Sequence, residues 1–113
     1  MKKHSISKEL EKKILILDGG MGSLIQEFGL TEEDFRGEMF ANWELPLKGC
    51  NDLLAVTRPD VISDIHLRYL EAGADIISND TFNANPISLA DYGLHEWAYK
   101  INKAAALAAR AVA

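Results

Sequence analysis

The sequence predicts an α/β chain built on short parallel strands buried on both faces. Three observations lead there. Ile14-Leu15-Ile16-Leu17 is an unbroken aliphatic run too short for a helix. Ala74-Asp75-Ile76-Ile77-Ser78 repeats the pattern sixty residues later, and each run ends in polar residues. Helical periodicity fills the stretches after them, which suits helices covering a parallel sheet.

In chain order, Met1–Lys13 is polar, with a short surface helix expected around Ser7–Lys12 and Ser7 as its N-cap. The first strand is Ile14–Asp18. It stops at Asp18 and at Gly19, Gly20 and Gly22, which bare the backbone to a ligand. In parallel sheets ligands bind at the carboxyl ends of the strands. A hairpin turn at Asp18-Gly19 is the competing reading, but no alternating partner strand follows. The glycines fit no nucleotide signature: G-x-G-x-x-G fails at Ile25, and the P-loop lysine and hydroxyl are missing.

Leu24, Ile25 and Phe28 recur at helical spacing, so a helix is expected over Ser23–Phe28, ended by Gly29. Thr31–Gly49 reads as a long ordered excursion, anchored by Phe35, Met39, Phe40 and Trp43. Thr31 and Asp34 form a variant capping box within it. Asn51–Val56 suits a strand or a helical turn. Pro59 and Asp60 mark a helix start, and Ile62, Ile65 and Tyr69 share one face before Gly73 stops it. The second strand ends at Asn79-Asp80-Thr81-Phe82-Asn83. Pro86–Asp91 reads as a short helix, and Leu94–Val112 as a strong one with no stop signal at the chain's end.

With 113 residues, 48% hydrophobic and 26% charged, the chain has the composition of one modest globular domain. A net charge of −5 argues against nucleic acid as a partner. No apolar stretch approaches the roughly 20 residues that span a bilayer, so no membrane is expected. One cysteine, Cys50, rules out an internal disulfide and suits the cytoplasm.

Asp18 and the Asn79–Asn83 segment are the candidate chemistry. A carboxylate beside free backbone N–H groups suits a zwitterion such as an amino acid. The structural alternative makes Asp18 a helix cap or an ion-pair partner. Asp80 would add a second carboxylate, able to bind a divalent cation or act in acid–base chemistry. His66 is expected to be packed or at the surface, and His4 and His95 at the surface. Cys50 is expected to be inert, and Trp43 and Trp97 to be anchors.

In order and spacing, these segments resemble the N-terminal homocysteine-binding domain of cobalamin-dependent methionine synthases. The residues are Leu17-Asp18-Gly19-Gly20-Met21-Gly22-Ser23, Asp34-Phe35-Arg36-Gly37-Glu38, Lys48-Gly49-Cys50-Asn51-Asp52-Leu53-Leu54 and Thr57-Arg58-Pro59-Asp60. Ala72-Gly73-Ala74-Asp75-Ile76-Ile77, Asp80-Thr81-Phe82-Asn83 and Ile101-Asn102-Lys103-Ala104-Ala105 continue the match. Phe35 through Leu54 points to the cobalamin-dependent branch over the betaine-dependent one.

The resemblance implies the N-terminal portion of a (β/α)8 TIM barrel, its first two β/α units. Residues 1–13 would be a polar extension and 14–113 the partial barrel domain. It implies homocysteine as substrate, zinc to hold the sulfur, and methylcobalamin as methyl donor. Asp18 would hold the homocysteine amino group, and Gly19 and Gly20 its carboxylate. Met21, Thr81 and Phe82 would line the same pocket. Asp80 stands where the family usually has asparagine. The family's zinc cysteines lie beyond this chain, so neither zinc ligands nor catalytic residues are expected within it. A full barrel needs about 250 residues. The chain is therefore expected to be inactive alone, to self-associate, and to work with the rest of the barrel and with folate- and cobalamin-binding domains. The rival expectation is a non-enzymatic small α/β module that binds an amino acid or self-assembles. A third is a metal-dependent barrel lyase using Asp18 and Asp80.

Overall fold

The computed structural model describes residues 5–113. Lys2, Lys3 and His4 lie outside the described residues. Helix α1, Ile6–Lys12, starts at Ser5, whose hydroxyl accepts the Lys8 N–H at 3.4 Å. The cap is therefore Ser5 and not Ser7. Helix α2 covers Gly22–Glu27 and α3 covers Glu32–Arg36. Thr31 and Asp34 form the predicted reciprocal capping box at the start of α3.

A 3-10 turn, Asn51–Leu53, leads into the single-turn helix α4, Leu54–Thr57, which settles the ambiguous Asn51–Val56 stretch as helical. Helix α5, Pro59–Glu71, has proline in its first turn and ends before Gly73 at φ 109°. Helix α6, Pro86–Leu89, is capped by Asn85, which accepts the Ser88 N–H at 2.9 Å. Two 3-10 turns, Ala90–Tyr92 and His95–Trp97, precede α7, Ala98–Val112. The last long helix thus begins later than its apolar spacing suggested.

Helix α7 lies against α4 and α5, α3 against α4, and α2 against α5. Leu53, Leu54, Ile62, Ile65, Leu94 and Ile101 are fully buried between them. Arg36 and Glu32 hold the long excursion. The guanidinium donates to the Trp43 carbonyl at 2.6 Å and to Glu32 at 2.7 Å. Glu32 in turn accepts the Leu47 N–H at 2.8 Å and the Lys48 N–H at 3.0 Å. Phe40 stacks edge-on with both Trp43 and Trp97, so the two tryptophans are anchors.

The expected α/β architecture does not form. Helix accounts for 58% of the described residues and extended structure for 2%, with no sheet among them. The chain is a small helical domain and not the first two units of a (β/α)8 barrel. The two predicted strands meet in one parallel bridge, Leu17 opposite Ile76. Asp18 N–H donates to Ile76 O at 2.9 Å, and Asp75 N–H to Ile16 O at 2.8 Å. The apolar runs are also not buried on both faces: Ile14 is 88% exposed, Ile16 57% and Leu17 58%. An isolated parallel pair has no neighbours to cover its faces or extend its ladder.

Candidate functional site

Three connections converge beside this bridge. The Leu17 run turns at Asp18–Met21 into α2. The Ile76 run continues through Ser78–Asn83. The turn Asn51–Leu53 enters from the third side. Between them is a cavity of about 480 Å³ walled by Met21, Asn51, Asp52, Asn79, Asp80 and Thr81, with Phe82 at its edge. Among the described residues, its lining holds two carboxylates and no lysine, arginine or histidine. A second cavity of about 490 Å³ shares Gly49 and Asn51 with it but is walled by Ile25, Leu30 and Phe35, with Lys48 as its charged residue. Convergent polar groups mark a binding site better than volume does, so the acidic cavity is the candidate.

Asp52 and Asp80 are both buried, at 5% and 6% exposure. Asp52 sits just before the fully buried pair Leu53-Leu54, which carries it inward. It accepts the Asn83 N–H at 2.9 Å. Burial pushes its carboxyl up, and that N–H only partly offsets the effect. Asp80 Oδ2 has no hydrogen-bond partner among the described residues. Burial first, and the nearby Asp52 charge second, push the Asp80 carboxyl up to about 7. Thr81 Oγ1 donates to Asn79 Oδ1 at 2.6 Å, which orients the amide beside it.

The sequence-predicted residues divide into two groups. Met21, Thr81 and Phe82 line the cavity, and Phe82 is 94% exposed. Asp18, Gly19 and Gly20 do not line it. Asp18 Oδ2 accepts the Ser78 N–H at 2.8 Å. A Cβ at Gly19 would lie 3.0 Å from the Tyr69 hydroxyl, and that hydroxyl donates to Gly20 O at 2.5 Å. Gly19 gives Tyr69 room to reach the loop.

Asn79 and Asn83, within the candidate segment, line the cavity, whereas sequence reasoning missed Asn51 and Asp52. A carboxylate set among leucines was the available signal for Asp52. His66 is fully buried, and neither ring nitrogen has a partner among the described residues. Burial lowers its pKa, while the Asp18 charge raises it. His95 is exposed, as expected. Cys50 is buried, and burial pushes its thiol up to about 11.

Among the described residues, no three His, Cys, Asp or Glu side chains stand together as a metal site. A zinc site needs three or four such ligands, so the residues described do not fit that ion. No helix of the described residues is long and apolar enough to cross a membrane. A family model for homocysteine S-methyltransferase matches residues 15–113.

Proposed function

The chain belongs to the homocysteine S-methyltransferase family, and on that premise we propose that its acidic cavity holds homocysteine for methylation at sulfur. The family reaction is methyl transfer to homocysteine. In it the sulfur forms a bond to the methyl carbon, the bond from methyl to donor breaks, and the thiol proton is lost. One observation supports the assignment above the rest: the match spans every segment that walls the cavity.

In this reading Met21 and Phe82 contact the aliphatic arm of homocysteine. Asn51, Asn79 and Thr81 offer hydrogen bonds to its polar end. Methylcobalamin, carried by a separate cobalamin-binding domain, would supply the electrophilic methyl group. The described residues do not fit zinc, so no step is assigned to a metal held here. The reading places the protein in the cytoplasm and takes this chain alone to be inactive. It also takes the chain to self-associate, which the exposed Ile14, Ile16 and Leu17 support.

Calorimetric titration with L-homocysteine tests the assignment, with light scattering for mass. Saturable heat is expected. Absence of binding at millimolar ligand overturns the reading.

A further inference from the structure

We propose that Tyr69 is a positioning residue for homocysteine, holding the Asp18–Met21 turn in the conformation that meets the substrate's carboxylate. The inference rests on the homocysteine reading above and deepens it. The turn has few ties of its own. The N–H groups of Gly19, Gly20 and Met21 have no acceptor among the described residues. Consecutive free donors suit an anion, but paired glycines leave the backbone loose. A group outside the turn must set its shape.

Tyr69 is that group. Its hydroxyl donates to Gly20 O at 2.5 Å, across 49 positions of sequence. A trans peptide is planar, with its carbonyl and the following N–H on opposite sides. Holding Gly20 O therefore aims the Met21 N–H away from Tyr69, and Met21 is the residue by which the turn enters the cavity wall. The ring lies so close that a Cβ at Gly19 would meet the hydroxyl at 3.0 Å and Cε1 at 3.2 Å. Its support is firm. Ile62, Ile65 and His66 on the same helix are fully buried, and Tyr69 O accepts the Ala74 N–H at 3.0 Å where the second extended segment begins. A binding group is held most accurately by residues that packing has already locked. The Tyr69–Gly20 bond is itself exposed, so water can replace the donor without unfolding the chain.

Tyr69→Phe keeps the ring and removes only the hydroxyl. Calorimetry compares L-homocysteine with its descarboxy analogue, 3-aminopropanethiol. The wild-type chain should bind L-homocysteine about tenfold more tightly, the scale of one charge-assisted hydrogen bond. Tyr69→Phe should melt close to the wild-type temperature and lose most of that preference, with its affinity for the analogue unchanged. A purely structural role would lower both affinities together, and that result overturns the proposal. So does a preference that survives in Tyr69→Phe, or a wild-type chain that binds both ligands equally. A Tyr69→Phe chain that no longer melts cooperatively overturns it too, because the hydroxyl would then be holding the fold. Gly19→Ala is the second variant: its methyl group displaces the hydroxyl, and Gly19 has no positive φ to bar alanine. It should lower the preference in the same way, and the double variant should be no worse than either single one. Additive losses count against Tyr69 and overturn the proposal. In all these outcomes homocysteine still binds the wild-type chain, so the underlying reading stands. If neither ligand binds the wild-type chain, the reading itself fails and takes the proposal with it.

Discussion

Asp18 and Ser78 are joined by a hydrogen bond of 2.8 Å from the Ser78 N–H to the Asp18 carboxylate, across 60 positions of sequence. The bond sits just past the Leu17–Ile76 bridge and ties the carboxyl ends of both extended segments together. The Asp75 carboxylate does the same at the other end, accepting the Ile16 N–H at 3.0 Å and Lys13 Nζ at 2.7 Å. With so short a ladder, side chains replace the backbone bonds that a sheet would supply.

Asp18→Ala is therefore expected to lower unfolding free energy by about 1–2 kcal/mol, since a backbone donor loses its acceptor. Asp18→Asn keeps an acceptor oxygen and should cost less. Urea denaturation at pH 7 gives both values. An alanine variant as stable as wild type would show that the bridge holds without this bond.

Asp80 has the opposite character, because its folded carboxyl titrates near 7, above its ordinary value. The folded state holds that proton more tightly than the unfolded chain. The penalty is absent below the unfolded carboxyl range, grows as pH rises, and levels off above about 7. Asp80→Asn removes it. The variant should match wild type near pH 4 and exceed it at pH 8, by about 4 kcal/mol at most. Thermal melts across this range check the sign. A wild-type advantage at pH 8 would mean that Asp80 has a partner when ionised.

Glu32 organises the excursion after α3. Burial pushes its carboxyl up, but the Leu47 and Lys48 N–H groups and Arg36 outweigh that and leave it below the ordinary value. A lowered carboxyl stabilises above the unfolded value, and its contribution disappears as pH falls through the folded one. Glu32→Gln should cost about 1–2 kcal/mol at neutral pH and little at pH 3. The Trp43 environment should change with it, because Arg36 links Glu32 to the Trp43 carbonyl. Tryptophan fluorescence during urea titration reads both effects.

Gly37 closes α3 at φ 58° and ψ −165°, a region open almost only to glycine. A Cβ there would also come within 3.3 Å of Thr57 Cβ. Gly37→Ala should cost about 1–3 kcal/mol in denaturant unfolding. Gly29, at φ 59° with open space around it, tests the separate cost of the backbone conformation.

Much of the helical framework was legible in the sequence because it rests on local signals. The Thr31–Asp34 box, Pro59 in the first turn of α5 and Gly73 after its end each act within a few residues. Burial of Phe40 and Ile62 likewise followed from their chemistry. The two strands misled because an aliphatic run states only that a segment is apolar. Whether neighbours exist to pair with it and cover it is a long-range matter, and here Ile14, Ile16 and Leu17 remain exposed.

The candidate site divides in the same way. Met21, Thr81 and Phe82 were expected in one pocket from the family resemblance, and all three line one cavity. Asp52 was not, because it arrives from a turn some thirty positions away and enters only through the packing of Leu53 and Leu54. The sequence by itself determined where most of the helices lie, the acidic balance and the apolar anchors, because propensity, capping and composition are properties of neighbouring residues. Tertiary structure alone decided that the strands stop at one bridge, that Asp18 binds Ser78, and that Asp80 keeps a buried, unpaired oxygen. Those outcomes depend on which distant groups reach one another once the helices have packed, and residue spacing does not encode that.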